Sequence, residues 1–473
     1  MTSKIVVNNI ESDAGINSVT FNSNIQIGSG TTIHSSGIDL GSGNITGGIV
    51  TATSFTGSGT NLTSLPAANL TGTLPAISGA NLTGINTAFG SGTSVNTSGI
   101  ITATAFVPTV GQLSHRNIII NGAMSVAQRG TSNTAGGDGY FTVDRMYYYN
   151  AGIDNDVTKA QADVASGTSP YTAGFRKSFK LTNGNQTTPG TGDEILIRQN
   201  IEAQDIANSG WNYTSTSSFI TLSYWVKSSV AQNFYVNLQS IDGTSQNYVT
   251  ETGSLTANTW TKIVKTIPGN SNLQFDNDNA KGMFIQWNVF RGTSVTGTRP
   301  LNAWAAYSSS TRVPDMTSTW WISTGATFEI TGVQLEVGPQ ATAFEHRSYG
   351  DELQRCMRYY EKQSVNDDNG GYATVCMGHR SNSTTVIIMP VFRVIKRAPN
   401  ATFEFNGPMR LAYVTSNHVA ITSWSSMSNS QFSVQGGYKV VAQASGVGGS
   451  AGEHFRLEGN GDTGAYISFE SEL

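Results

Sequence analysis

Apolar and polar residues alternate in the middle of the chain, and stretches rich in Gly, Asn and Ser separate the alternating runs. The runs contain many β-branched and aromatic residues, which favour strands. The predicted strands are residues 219–227, 234–238, 261–265, 283–289, 320–322 and 327–336. Short strands that follow one another with turns between them predict a β-sandwich of the jelly-roll type over residues 113–349.

The convincing helical pattern covers residues 350–362, at the start of a C-terminal region that runs to residue 473. Ser348 and Asp351 stand three residues apart, as in a capping box, and Leu353, Met357 and Tyr360 repeat at helical spacing. Residues 386–392 and 466–469 are predicted strands. We therefore expect a small, mostly β tip domain with one short helix over residues 350–473.

Residues 1–112 repeat short motifs and carry almost no charge. After Asp39, no charged residue occurs before Arg116, and Gly-Ile-Val-Thr-Ala-Thr-Ser-Phe at 48–55 returns as Gly-Ile-Ile-Thr-Ala-Thr-Ala-Phe at 99–106. A single copy has too few large apolar residues to offset its chain entropy, but three intertwined copies could form apolar layers around one axis. The pattern favours a trimeric, fibrous β repeat shaft, with a flexible low-complexity linker as the alternative.

Composition excludes several classes of protein. Only 12% of the residues are charged and 52 are glycine, which disfavours long helices. The net charge of −4, without a run of Lys and Arg, argues against nucleic acid as a partner. No apolar stretch approaches the ~20 residues that span a bilayer, and the start lacks a signal-peptide pattern, so we expect neither membrane insertion nor that export route. Cys356 and Cys376 are expected to be free, buried thiols.

Two longer motifs resemble a known family. The stretch 117–130, which ends Asn-Gly-Ala-Met-Ser-Val-Ala-Gln-Arg-Gly, and Phe-Thr-Val-Asp-Arg at 141–145 resemble the opening of jelly-roll domains in tail fibre proteins of tailed bacteriophages. Gly-Val-Gln-Leu-Glu-Val-Gly at 332–338, Ala-Phe-Glu-His-Arg at 343–347 and Cys-Met-Arg-Tyr-Tyr at 356–360 resemble the closing part of those domains. The N-terminal repeats resemble fibres of marine cyanobacterial phages, and the central domain resembles family 4/9-type carbohydrate-binding modules.

The resemblance implies a structural virion fibre or spike protein that forms a homotrimer and is assembled in the host cytoplasm. The region 1–112 would attach it to phage tail, baseplate or adaptor proteins, and the distal end would bind host cell-surface polysaccharide. Alternatives are a tailspike-type glycosidase or depolymerase, and a connector or capsid-decorating fibre without receptor contact. We expect a non-catalytic protein without a cofactor or a metal ion.

Sugar recognition needs flat apolar faces beside polar groups. Trp211, Tyr213, Trp304 and Tyr307 lie in Gly-, Asn- and Ser-rich stretches and are the candidate stacking platform, with packing or interface roles as the alternative. Trp225, Trp287 and Trp321 lie in strand patterns, which indicates core packing. His346 is expected to be a structural residue between the sandwich and the helix.

Hydrolysis of a glycan would need two suitably spaced carboxylates. The nearest pairs in sequence are Asp154 with Asp156, Asp276 with Asp278, and Asp367 with Asp368. Such close neighbours are typical of solvated turns, or of a calcium site at best. The histidines are scattered, and no two of them have a His-x-x-His spacing. The pattern therefore favours binding without catalysis.

Overall fold

The computed structural model describes residues 114–365, 370–382, 385–399, 401–413, 418–421, 433–435, 440–443 and 450–473. All of them belong to one compact unit, Thr102–Leu473. The predicted shaft at 1–112 lies outside the described residues. What is described is nearly all β, which confirms the predicted fold class.

The first part of this unit is a β-sandwich built from antiparallel strands. Its strands are β1 (Ser132–Asn133), β2 (Gly139–Tyr140), β3 (Tyr147–Ala151), β4 (Thr158–Asp163), β5 (Lys177–Thr182), β6 (Glu194–Glu202), β7 (Phe219–Ser228), β8 (Asn233–Ser240), β9 (Gln246–Ser254), β10 (Thr261–Pro268), β11 (Lys281–Arg291), β12 (Trp304–Ala306) and β13 (Thr327–Val337). Its short helices are α1 (Ser169–Thr172), α2 (Ala203–Ala207) and α3 (Thr319–Ile322).

Two sheets form the sandwich, one with strand order β1-β4-β5-β13-β7-β10 and the other with order β12-β9-β8-β11-β6-β3-β2. Apolar side chains from both sheets fill one core. Tyr224 of the six-stranded sheet meets Trp287 of the seven-stranded sheet edge to face at 5.8 Å, and Phe234 meets Phe328 at 4.9 Å. Face-to-face packing of two sheets buries one face of each.

Alternation along β11 shows how the seven-stranded sheet acquires two different faces. Met283, Ile285 and Trp287 belong to the core between the sheets. Because successive side chains of a strand point to opposite faces, Phe284 and Gln286 lie on the outer face. This outer face carries the polar residues that form the candidate site.

The second part of the unit has its own apolar core. Its elements are α4 (Tyr349–Met357), β14 (Tyr360–Ser364), β15 (Thr374–Arg380), β16 (Thr385–Met389), β17 (Thr402–Asn406), β18 (Met409–Tyr413), β19 (His418–Ile421), β20 (Val440–Gln443), β21 (His454–Gly459) and β22 (Tyr466–Glu470). They form a three-stranded sheet of order β14-β22-β17 and a six-stranded sheet of order β19-β18-β21-β15-β16-β20. The prediction of a mostly β region with one helix at its start agrees with these elements, whereas the domain boundaries themselves stay predictions.

Two predicted elements are wrong in detail. Residues 320–322 form part of helix α3 instead of a strand, because both Trp320 and Trp321 are fully buried and a strand would direct them to opposite faces. The predicted helix 350–362 ends at Met357, since Tyr360 already pairs with β22 opposite Glu470. Its start is as predicted: the Ser348 hydroxyl accepts a hydrogen bond from the Asp351 amide at 3.2 Å.

The other predicted strands coincide with β7, β8, β10, β11, β13, β16 and β22, although β16 ends before Pro390. Both cysteines are free, Cys356 buried and Cys376 half-buried. His346 packs against Phe175 and Phe344, and its Nε2 lies 3.0 Å from the carbonyl oxygen of Ala173. No helix among the described residues is long and apolar enough to span a membrane.

The two motifs that carry the family resemblance lie side by side in the structure. Asn117 donates to the carbonyl oxygen of Val333 at 3.1 Å and accepts from the amide of Leu335 at 3.1 Å. A Cβ on Gly122 would lie 2.0 Å from the Val333 carbonyl oxygen, so only glycine permits this approach. The motifs therefore close the sandwich and are structural in this molecule.

Charged residues join the sandwich to the end of the chain. We name Arg129, Arg145, Glu202, Arg358 and Glu472 the junction cluster. Arg145 pairs with Glu472, which also lies 3.3 Å from Arg129, and Arg358 pairs with Glu202 at 2.8 Å. The Arg145 guanidinium lies 3.5 Å above the ring of Tyr359. These contacts hold the C-terminal residues of the chain against the sandwich.

Candidate functional site

Trp211, one of the predicted stacking residues, belongs to the core. Only 3% of its surface is exposed, and its Nε1 donates to the carbonyl oxygen of Ser218 at 3.3 Å. It meets Tyr213 edge to face at 6.2 Å, and Tyr213 in turn meets Phe275 at 4.9 Å. The prediction of an exposed platform is therefore wrong for Trp211, because its ring packs into the apolar core of the sandwich.

Trp304 lies at one edge of the sandwich and bridges the two sheets. Its Nε1 donates to the carbonyl oxygen of Pro268 at 2.6 Å, and its ring packs against Tyr248 at 5.2 Å. Tyr213 lies nearby, since its carbonyl oxygen accepts from the amide of Asn270 at 2.8 Å. Both rings are half-buried and pack against the core. A role for Tyr213 or Trp304 in sugar binding stays a prediction.

Tyr307 lies in a different place, at a pocket of about 280 Å³ on the outer face of the seven-stranded sheet. We call this pocket the groove. Its lining residues are Tyr149, Leu196, Arg198, Asn237, Gln239, Phe284, Gln286, Arg291, Tyr307 and Arg312. The four aromatic residues predicted to form one platform are therefore divided between the groove and other parts of the sandwich.

Strand register brings the floor of the groove together. Gln286 on β11 is opposite Arg198 on β6 and opposite Asn237 on β8. Residues directly opposite each other in adjacent antiparallel strands project from the same face. Three neighbouring strands thus place a guanidinium and two amides in one row.

A loop after β12 forms one wall of the groove. The amide of Tyr307 donates to the carbonyl oxygen of Ser245 at 2.9 Å, and the Asn247 side chain donates to the carbonyl oxygen of Arg312 at 2.9 Å. These bonds fix the loop to the turn and strand on the neighbouring side. Tyr307 and Arg312 are consequently held at the groove while remaining half-exposed.

Hydrogen bonds order the floor. Gln286 Oε1 accepts from Nε and Nη2 of Arg198 at 3.0 and 2.8 Å. Gln286 Nε2 donates to Oδ1 of Asn288 at 2.9 Å, and Asn288 Nδ2 donates to Oδ1 of Asn237 at 2.9 Å. A network of this kind fixes the orientation of its amides, so the floor is organised before any ligand binds.

Three arginines converge on the groove. Arg291 pairs with Glu194, and Arg312 Nη1 lies 3.2 Å from Oε1 of the same carboxylate. Burial lowers the pKa of Arg291, with Glu194 acting in the opposite direction, and burial also lowers the pKa of Arg198. The nearby charge of Arg312 lowers both pKa values further. The three cations therefore lie close enough to repel one another.

Aromatic surface lies beside these polar groups. The guanidinium carbon of Arg198 is 4.4 Å from the ring centroid of Phe284 and 5.9 Å from that of Tyr147. Tyr149 and Tyr307 are half-exposed at the groove. Rings next to amides and guanidinium groups match the alternation of apolar and hydroxyl-bearing surface on a sugar.

Three members of the carboxylate pairs considered for catalysis accept hydrogen bonds from loop residues: Asp154, Asp276 and Asp278. Asp154 accepts from the amide and hydroxyl of Thr187 at 2.7 and 2.9 Å, and these bonds lower its pKa. Asp276 accepts from the Gln274 side chain at 2.8 Å, and Asp278 accepts from the amide of Ala280 at 2.9 Å. Asp367 and Asp368 lie outside the described residues. Within the part of the chain that the structure describes, no three His, Cys, Asp or Glu side chains are grouped to hold a metal ion.

Sequence reasoning missed the groove, although the signal was present. Asn237 and Gln286 occupy alternate, polar positions in strands that were predicted correctly. Such positions normally face solvent on a sheet with one wet side, and only strand order shows that they converge. Of the four aromatic residues chosen from loop composition, Tyr307 lines the groove.

No family model and no curated sequence matches this chain. Solved structures similar to it include the enzymatically active domain of bacteriophage CBA120 tailspike protein 4, at 12% identity, TM-score 0.25, covering 47% of this chain and 21% of that one. A putative sugar-binding protein from Bacteroides thetaiotaomicron has 11% identity and a TM-score of 0.26, covering 47% of this chain and 100% of that one. The N-terminal cellulose-binding domain of Cellulomonas fimi β-1,4-glucanase C has 9% identity and a TM-score of 0.21, covering 46% and 99%. This chain thus spans about a fifth of the tailspike's length, and TM-scores this low carry no argument about function.

Proposed function

We propose that this protein binds a polysaccharide in the groove and does not cleave it. The observation that carries the proposal is the row of Arg198, Gln286 and Asn237, ordered by hydrogen bonds and flanked by half-exposed tyrosines. Gln286 and Asn237 are only 2% exposed and already bonded to their neighbours, so they hold the floor in place. The half-exposed Arg198 can donate to sugar hydroxyls, while the half-exposed tyrosines cover the apolar faces. The groove provides these groups without rearrangement of its floor.

We further propose that the chain is part of a trimeric fibre of a tailed phage and contacts host-surface polysaccharide. The support is the resemblance of the stretches 117–130 and 332–338 to the opening and closing of fibre domains. Residues 1–112 would form the shaft and attach to tail or baseplate proteins in the virion. Three weak sites on one trimer would act together, since linked sites gain affinity by orders of magnitude without new contacts.

Glycoside hydrolysis finds less support at this site. A retaining or inverting mechanism needs two carboxyl groups beside the scissile bond. The side chains that line the groove are arginines, amides, aromatic residues and one leucine, and the carboxylate of Glu194 is engaged by two arginines. These groups favour a bound sugar chain that stays intact.

The proposal is tested by affinity electrophoresis and titration calorimetry with purified host-surface polysaccharides. Replacing Tyr149 and Tyr307 together by Ala should weaken binding at least about tenfold, the equivalent of ~1.4 kcal/mol. Tyr171→Ala is the matched control, because Tyr171 lies on α1 and packs against Arg176 instead. Sizing the polysaccharide after incubation should show unchanged chains.

Two results would overturn the proposal. Full binding by the double variant would place the sugar elsewhere on the protein. Shortened oligosaccharides would show a depolymerase, and the chain would then be a tailspike-type enzyme.

A further inference from the structure

The groove contains more positive than negative charge. Arg198, Arg291 and Arg312 line it, and no Asp or Glu is among the lining residues. Arg291 and Arg312 share the single carboxylate of Glu194 just beside it. Lys281 adds another cation nearby, with its Nζ 5.8 Å from the ring of Phe284.

Of the three arginines that line the groove, Arg198 is the one without an acidic partner among the described residues. No carboxylate of the described residues forms an ion pair with it, and its Nε and Nη2 both donate to the neutral oxygen of Gln286. The rings of Phe284 and Tyr147 hold its planar group in position. The guanidinium is therefore fixed in place, half-exposed and still positively charged.

A neutral sugar would not offset the positive charge of these arginines. Bringing several cations into one partly buried space costs free energy, which a counter-charge offsets. A carboxylate or a sulfate ester carries that charge and accepts two hydrogen bonds from a guanidinium fork. Arg312, on the wall across from the floor, can approach the same anionic group from the other side.

We propose that the groove is selective for acidic polysaccharide, with Arg198 and Arg312 binding the carboxylate or sulfate groups of the sugar chain. This inference rests on the proposed function and narrows it to a substrate class. Carboxylate and sulfate share the chemistry that the arginines recognise, and the experiment separates the two.

The test uses two pairs of oligosaccharides in titration calorimetry at low ionic strength. An oligogalacturonate is compared with its methyl ester, and a sulfated galactan oligosaccharide with its desulfated form. Within each pair the sugar backbone is the same, and the second member lacks the negative charge. We expect at least one charged member to bind about tenfold or more tightly than its neutral partner, a preference that salt reduces.

Two variants remove the free positive charge in different ways. Arg198→Gln deletes it, and Gln286→Glu neutralises it by giving Arg198 a carboxylate partner at a distance where the amide oxygen already accepts. Either change should bring the charged and neutral members to within about threefold of each other. Arg176→Gln is the matched control, because Arg176 is exposed and donates to backbone carbonyls away from the groove. Near-UV circular dichroism verifies that each variant is folded.

The outcomes separate the inference from the proposed function. Equal affinity for charged and neutral members, or a preference that Arg198→Gln leaves intact, refutes the selectivity while polysaccharide binding stands. If no member of either pair binds to the wild-type protein but a neutral host-surface polysaccharide does, the selectivity fails and the proposed function stands. If the host-surface polysaccharides do not bind either, both proposals fail. The preferred member of the charged pairs identifies carboxylate or sulfate as the group bound.

Discussion

Arginines cluster in two regions of this molecule, and nearby carboxylates balance their positive charge to different extents. In the junction cluster, Arg145 pairs with Glu472 and Arg358 pairs with Glu202. Arg129 lies within 3.6 Å of both Glu470 and Glu472, so each of the three cations has a carboxylate. In the groove, Arg291 and Arg312 share the carboxylate of Glu194, and Arg198 has only an amide oxygen and aromatic rings. The first arrangement is neutralised within the protein, whereas the second leaves charge available.

The difference separates a structural contact from a binding site. Removing one partner of a buried ion pair is costly because the other charge stays buried and unpaired. A protein that needs arginine only for cohesion therefore supplies the matching acid, as it does at the junction. A group of arginines without enough acid is destabilising by itself, and binding an anion can offset that cost.

The largest effect is expected at the junction, from Glu472→Ala. Arg145 is almost fully buried and would lose its counter-charge, so the free energy of unfolding should fall by about 3–5 kcal/mol. Urea unfolding followed by near-UV circular dichroism measures the change. Asp163→Asn is the control, because the Lys177–Asp163 pair is exposed and should contribute at most about 1 kcal/mol. Similar losses in both variants would mean that the junction is no more than a surface contact.

A smaller loss of stability, with a gain of binding, is expected from Glu194→Gln. This change removes the one carboxylate shared by Arg291 and Arg312, so stability should fall by roughly 2–3 kcal/mol. Affinity for an oligogalacturonate or a sulfated oligosaccharide should rise, since two more cations lack a partner. Urea unfolding and calorimetry test the two halves of the prediction. Unchanged stability together with weaker anion binding would contradict the view that the groove arginines, unlike those of the junction cluster, are available to an anion.

The junction also contains a carboxyl group whose burial opposes its charge. Burial raises the pKa of Asp144 to about 6, although Arg129 acts in the opposite direction. The folded state therefore holds this proton more tightly than the unfolded state, and stability decreases as pH rises from about 4 to 6. Relative to Asp144→Asn, the wild-type protein should be about 1–3 kcal/mol less stable at pH 7 than at pH 4.5.

Urea unfolding of both proteins at the two pH values gives this difference directly. Glu202 contributes with the other sign, since the Arg358 and Tyr359 hydrogen bonds lower its pKa and its stabilisation is lost as pH falls. It is present in both proteins and cancels in the comparison. A pH-independent difference would mean that Asp144 is charged in the folded state at no cost.

Local patterns predicted five of the thirteen strands described for the sandwich, because a half-buried strand repeats every two residues. The exception at Trp320 and Trp321 arose because two adjacent large side chains are both buried, which a helical turn allows and a strand does not. The end of α4 was misplaced because pairing of Tyr360 with β22 involves residues more than a hundred positions away. Such long-range pairing leaves no local pattern.

The site was less predictable than the fold for a related reason. Arg198, Asn237 and Gln286 are far apart in sequence, and each is an ordinary polar residue in its own strand. Only the strand order β8-β11-β6 places them in one row. Of the four aromatic residues chosen from loop composition, Tyr307 lines this groove, while Trp211 is buried.

The smallest effect is expected from Tyr307→Ala. Tyr307 is half-exposed on the wall of the groove and held through its backbone, so its ring is available to a sugar and adds little to the core. Affinity for the bound polysaccharide should fall by about 1 kcal/mol, close to fivefold, while the urea midpoint stays unchanged. Tyr349→Ala, at a tyrosine that is 60% exposed outside the groove, should alter neither quantity. If Tyr307→Ala lowered stability and left affinity intact, the loop would be a structural element like the junction cluster. The distinction between a structural junction and a ligand-binding groove would then not hold for this wall of the groove.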